Sequence, residues 1–233
     1  MKEPVRRLRV DALATDLDGT LTSRGQPLTS RGQPLTPGLV EAMKRLKANG
    51  TRLILVTGRC ASEAIRITGD SLFDALVVEN GAVLTVGTAK KRRAPKGWAR
   101  ERRRILSRLE EGCEEVIVSS PIENLPLARS LVSGLASIQV NKDRLMVVPV
   151  GVDKGTGLSA VLKSLNLTPE SAACIGDGEN DIPMFEICRF RIALRNSVDD
   201  LKRMADYIAD GSAGEGALEA IRDLFVESPR RPS

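Results

Sequence analysis

The sequence contains no histidine. That absence removes the Ser-His-Asp triad, the Cys-His pair, phosphohistidine chemistry and His-ligated zinc together. Proton transfer near neutral pH then falls to carboxylates, a lysine or water. Cysteine is sparse: Cys60, Cys113, Cys174 and Cys188 lie far apart with no Cys-x-x-Cys spacing. Neither a zinc site nor a disulfide framework is expected from that pattern. No apolar run approaches the roughly 20 residues of a membrane span. No Gly-rich loop ending in Gly-Lys-Ser/Thr occurs, which disfavours a P-loop kinase. The first nine residues are charged with no long apolar stretch behind them, so no signal peptide is expected, and a cytoplasmic protein is.

What is present fits a globular enzyme. A chain of 233 residues allows one large domain, or a core with a smaller module. Its net charge of +5 suits an anionic substrate, and equally suits nonspecific polyanion binding.

The chain is organised around Thr15-Asp16-Leu17-Asp18-Gly19-Thr20-Leu21-Thr22. The run Val10 to Ala14, broken only by Asp11, reads as a buried strand leading into it. Asp16 and Asp18 are two residues apart, so the strand's period of two aims both side chains the same way. Adjacent carboxylates disfavour each other's ionisation, and a hard cation with oxygen ligands, such as Mg²⁺, relieves that. Gly19 lets the backbone approach a ligand closely, and Thr20 and Thr22 add hydroxyls. An isolated Asp-x-Asp could also merely cap a turn.

The rest of the chain answers this motif. Ser-Arg-Gly-Gln-Pro-Leu-Thr occurs at 23–29 and again at 30–36. Lengthening a flexible loop costs little, so a duplication in a tolerant loop and a flap beside Asp16 both fit. Thr36-Pro37 opens a helix that ends at Asn49-Gly50. Leu53–Val56 reads as a strand ending in Thr57-Gly58-Arg59, with a helix from Ala61 to Thr68. Ala75–Val78 is a further strand, ending in Glu79-Asn80-Gly81. Strands and helices alternating in this way predict a parallel sheet covered on both faces, with ligands at the strands' carboxyl ends.

From about residue 84 the pattern changes. Lys90 to Arg93 and Arg100 to Arg104 form a basic stretch, and Trp98, Ile105 and Leu109 share one helical face. Strands are expected at 116–119, 138–141 and 145–150, with a helix over 125–136. Residues 84–150 thus read as a small inserted α/β module. The basic stretch reads as solvated surface, or as an attraction for an anionic substrate. It lacks the interleaved aromatics of a nucleic-acid surface. Core pattern resumes at Gly151, with helices over 158–165, 182–187, 198–204 and 216–225 and strands at 172–175, 190–194 and 207–208. The fold class is α/β, a Rossmann-like doubly wound parallel sheet with an inserted cap. The expected core is 1–83 with 151–233, and the expected cap is 84–150.

Four pieces then fit one task. Asp16, Asp18, Asp177 and Asp181 would bind Mg²⁺. Thr57, the amides around Gly58, and Lys154 would bind phosphate. These motifs resemble those of the haloacid dehalogenase superfamily of phosphatases: Asp-x-Asp-Gly-Thr at 16–20, the strand-end Thr57, the helix-borne Lys154, and Gly-Asp-x-x-Asn-Asp at 176–181. The last motif and Asn80 are similar to those of the Cof-like branch, and the insert lies where its C2-capped members carry their cap. Small size brings the chain closest to archaeal-type phosphoglycolate phosphatases, with sucrose-phosphate phosphatase-like enzymes next. The resemblance implies a Mg²⁺-dependent phosphatase in which Asp16 is the nucleophile and Asp18 the general acid and base. It implies that Asp16, the Asp18 main-chain carbonyl and Asp177 hold the metal, with Asp181 supporting them. Thr57, Gly58, Arg59, Lys154 and Asn180 would contact substrate phosphate. The expected partner is a small phosphorylated substrate such as phosphoglycolate or a sugar phosphate, with no nucleic acid and no membrane. Monomer and homodimer both stay open. The competing readings are a phospho-aspartate sensing module and a nucleic-acid-binding protein.

Overall fold

Short apolar runs become strands because both of their faces are covered, which removes the need for alternation. In the computed structural model, which describes residues 8–23, 35–109 and 112–225, the first is β1 (Ala12–Thr15). Next come α1 (Pro37–Ala48), β2 (Arg52–Val56), α2 (Ala61–Thr68) and β3 (Ala75–Val78). A hairpin of β4 (Val83–Val86) and β5 (Ala89–Arg92) follows, then α3 (Trp98–Leu106), β6 (Val118–Pro121), α4 (Leu125–Leu131), β7 (Ala136–Asn141) and β8 (Arg144–Pro149). The chain closes with α5 (Lys154–Ser164), β9 (Ala172–Gly176), α6 (Ile182–Ile187), β10 (Phe190–Ala193), α7 (Asp199–Met204), β11 (Tyr207–Ile208) and α8 (Ala213–Leu224). The duplicated heptad falls mostly within 24–34 and the Ser/Pro/Arg tail within 226–233, both outside the described residues. Among the described residues no helix is long and apolar enough to cross a membrane.

The large sheet runs β11-β10-β9-β1-β2-β3-β4-β5, parallel except for the β4–β5 hairpin at one edge. β1 sits between β2 and β9, so the strand order reverses at its carboxyl end, and a crevice opens there. The period of two divides the core. Leu13, Leu53, Leu55, Ala173 and Ile175 pack under α1 and α8, against Leu39, Met43 and Ile221. Ala12, Ala14, Ile54, Val56 and Cys174 face the opposite layer, against Leu158, Val161 and Phe185 of α5 and α6.

The insert is built on an antiparallel sheet in the order β6-β8-β7. Trp98 and Ile105 of α3 are buried in it, and the Trp98 indole donates to the Val116 carbonyl at 2.8 Å. Several expected boundaries move. The sheet extends through Arg92, so the module boundary expected at residue 84 falls inside the β4–β5 hairpin. The charges on β5 leave it exposed, as suits an edge strand, and Lys90 and Arg92 pair with Glu115. The helix expected over 125–136 stops at Leu131, because Ser133-Gly134 turns the chain into β7. Asn80 and Glu79 hold left-handed backbone with Gly81, at φ 50, 52 and 92. Gly81 is required there, because a Cβ would lie 2.1 Å from the Asp153 carbonyl oxygen.

Candidate active site

The site is assembled from the ends of three parallel strands and the start of one helix. Beyond β1, the Asp16 amide donates to the Ile175 carbonyl at 3.0 Å, which anchors the chain to β9 as it leaves the sheet. The loop then tightens on itself. The Leu17 carbonyl accepts from the Leu21 and Thr22 amides, with Gly19 at φ 87. Beyond β9, the Asp181 carboxylate accepts from the Asp177 amide at 2.9 Å and the Gly178 amide at 3.0 Å, folding 177–181 into a closed turn. Asp153 caps α5 in a reciprocal capping box with Thr156, which sets Lys154 at the first helical position.

Lys154 reaches the centre of this arrangement. Its ammonium donates to Asp16 Oδ1 at 2.6 Å and to Asp181 Oδ1 at 2.5 Å, and it is only 1% exposed. Asp177, fully buried, accepts from Thr20 Oγ1 at 3.2 Å, Lys142 Nζ at 2.7 Å and Asn196 Nδ2 at 3.3 Å. Asp16, Asp177 and Asp181 each offer a carboxylate oxygen, and these lie within 4.8 Å of one another. A compact set of buried oxygen donors, with no nitrogen or sulfur among them, fits a hard divalent cation. Asp18 contributes no carboxylate to this group, contrary to a simple four-aspartate site. Its side chain is turned to Arg59, held by a two-pronged pair at 2.7 and 2.8 Å.

The charges are strongly perturbed. Burial pushes the Asp16 carboxyl up to about 8 against the pull of Lys154, and Asp181, Asp177 and Asp18 add to the push. Burial alone would favour loss of the Lys154 proton, but Asp16 and Asp181 outweigh it and raise its pKa above the ordinary lysine value.

Asp16, Asp18, Thr57, Gly58, Arg59 and Asn180 all line one cleft of about 470 Å³ between the sheet's carboxyl edge and the insert. Asp177, Asp181 and Lys154 lie against Asp16 beneath it. The insert supplies the opposite wall through Ser119, Asn141, Arg144 and Met146. Thr57 Oγ1 accepts from the Arg59 amide at 3.2 Å. Asn180 Nδ2 donates to Asn80 Oδ1 at 3.1 Å, while Asn180 Oδ1 is buried without a partner among the described residues.

Three contacts at this site have no local sequence signal. Lys142 sits at the β7–β8 tip with φ 56 and crosses from the insert to Asp177. The Glu79 carboxylate accepts from the amides of Glu115, Val116 and Ile117 at 2.8, 2.8 and 3.1 Å, tying the insert to the core. Cys60 and Cys113 form a disulfide, which corrects the expectation of none, since a sequence separation of 53 hides the pairing.

A family model described as haloacid dehalogenase-like hydrolase matches residues 13–94 and 123–221. A protein of Archaeoglobus fulgidus named phosphoglycolate phosphatase is 31% identical over 234 residues, covering 91% of this chain and 96% of that one. Its namesake from Nitrosopumilus maritimus is 28% identical over 229 residues, covering 91% and 94%. Among solved structures, a Thermoplasma acidophilum protein superposes with a TM-score of 0.73 at 19% identity, covering 91% of this chain and 96% of that one. A haloacid dehalogenase subclass IIB sugar phosphatase gives 0.70 at 19% identity, covering 91% and 97%. At that identity these two likenesses speak to the fold.

Proposed function

The chain belongs to the haloacid dehalogenase-like hydrolases, and from that membership we propose that it is a Mg²⁺-dependent phosphatase that hydrolyses 2-phosphoglycolate to glycolate and phosphate. The phosphoric monoester hydrolase reading rests on the family and on relatives named for that activity. The substrate is taken from those relatives' names, and Arg59 and Arg144 on the cleft wall suit its anionic groups. The observation that carries the reading is Asp16, on the cleft wall and hydrogen-bonded to a buried lysine.

In this reading Asp16 attacks phosphorus and forms an aspartyl phosphate, displacing the alkoxide. Asp18 donates a proton to that leaving oxygen, then draws one from the water that cleaves the intermediate. Arg59 holds Asp18 at the cleft until substrate phosphate competes for the guanidinium. Thr57 and the amides after it, with Lys154, stabilise negative charge on the transferring group. Asp16 and Asp177 would hold Mg²⁺, with Asp181 orienting Lys154 and the 177–178 amides. The bound ion supplies charge neutralisation that lets an anionic carboxylate approach an anionic phosphate. Among the described residues, 93–109 and 112–150 act as the cap, and 8–23, 35–92 and 151–225 make up the core.

The test is phosphate release from a panel of phosphate monoesters with and without Mg²⁺. The reading expects metal-dependent release, fastest for phosphoglycolate. Release from sugar phosphates alone would move the substrate, and no release from any ester would remove the phosphatase.

A further inference from the structure

We propose that Cys60 and Cys113 are a reversible redox-modification site, at which a dithiol reductant unlocks the insert from the core and so speeds exchange through the cleft. The inference rests on the phosphatase reading for its effect on turnover, and on the structure alone for the tether.

The bond joins two different parts of the protein. Cys60 caps the N-terminus of α2, directly after the Thr57-Gly58-Arg59 segment of the cleft. Cys113 belongs to the insert, in the connection between α3 and β6, and itself lines the cleft beside Arg59 and Glu63. Their Cα atoms are 6.1 Å apart. The other contacts between the two parts, such as Lys142 with Asp177, Asn80 with Gln139 and the apolar packing they share, are noncovalent and are replaced by water as the parts separate. The disulfide does not exchange in that way, so it alone sets a covalent limit on opening among the described residues. Closing and opening of such modules commonly limits turnover.

The two sulfurs are unequal in a manner that suits exchange. Cys60 is 2% exposed, whereas Cys113 is exposed to solvent. An incoming thiolate therefore attacks Cys113 Sγ. The S–S bond breaks, its electron pair leaves on Cys60 Sγ, and that thiolate is left at the N-terminus of α2, where the helix amides favour negative charge. It then takes a proton from solvent. The second thiolate of the reductant attacks its own sulfur in the mixed disulfide and expels Cys113 as a thiolate, which is protonated in turn. The balance is one dithiol oxidised to a disulfide and one protein disulfide reduced to two thiols. Cys174 and Cys188 are buried away from the cleft and do not enter the exchange.

The test compares the full chain prepared under air with the same chain treated with dithiothreitol. Thiol titration in denaturant should give two thiols before reduction and four after. Hydrogen exchange over 112–121 and 136–149 should quicken on reduction, and kcat should rise about fivefold or more. Cys113→Ser and Cys113→Ala should both exchange and turn over like the reduced protein whether or not dithiothreitol is present. Four thiols in the air-prepared chain would overturn the proposal. So would unchanged exchange and unchanged kcat after a verified gain of two thiols. Faster exchange on reduction with no ester hydrolysed in either state would uphold the tether and instead sink the phosphatase reading.

Discussion

Lys154 Nζ lies 2.6 Å from Asp16 Oδ1, although 138 positions separate the two in sequence. The same ammonium meets Asp181, so one buried cation serves two buried carboxylates. Removing one partner of such a group leaves uncompensated charge in a dry interior.

Lys154→Met should therefore cost about 3–5 kcal/mol of stability as well as activity. Asp181→Asn added to it should restore part of that loss, with a coupling on the order of 1–3 kcal/mol. Chemical denaturation of the two single variants and the double variant measures this, and strictly additive losses would contradict a shared network.

Metal affinity should depend on pH through Asp16. Its carboxyl is raised to about 8 in the metal-free protein, so below that pH a cation must displace a proton to bind. The sign follows: affinity for Mg²⁺ should strengthen by about tenfold per pH unit up to near pH 8 and level off above it. Calorimetric titration at several pH values checks this, with proton release below pH 8 as the accompanying signature.

Glu79→Ala should loosen the insert. The carboxylate is the acceptor for three amides at 115–117, and leaving them without it should cost about 2–4 kcal/mol. Hydrogen exchange should quicken over 112–121 far more than over β1, β2 and β9. Uniform quickening across the core would mean that Glu79 supports the whole fold instead of the docking.

Most of the residues that gather at the candidate site could be located in the sequence, because each ends a short apolar strand or begins a helix. Asp16, Thr57 and Asp177 follow β1, β2 and β9, and the Gly or Asp residues beside them mark the chain's exit from the sheet. Lys154 follows Asp153, whose capping role is local. The β4–β5 hairpin stayed hidden because Lys90, Lys91 and Arg92 look like a solvated loop, and their strand is exposed. Lys142 on Asp177, Glu79 on the insert amides, and Cys60 with Cys113 are pairings across 35 to 53 positions. Only the packing of the insert on the core brings them together, and no spacing rule encodes that.

Deleting residues 23–29 should leave the fold and most activity intact, because an identical heptad at 30–36 remains and a shorter loop costs little to close. Turnover and thermal stability of the deletion variant test this, and a large loss of turnover would assign the segment a part in catalysis.

Asp16 should become phosphorylated during turnover. Acid-quenching the protein during steady hydrolysis, reducing acyl phosphate with borohydride and sequencing the peptides by mass spectrometry tests it directly. Conversion of residue 16 alone is expected, lost in Asp16→Asn together with hydrolysis. Modification at another residue, or phosphate release by a metal-replete Asp16→Asn protein, would contradict it.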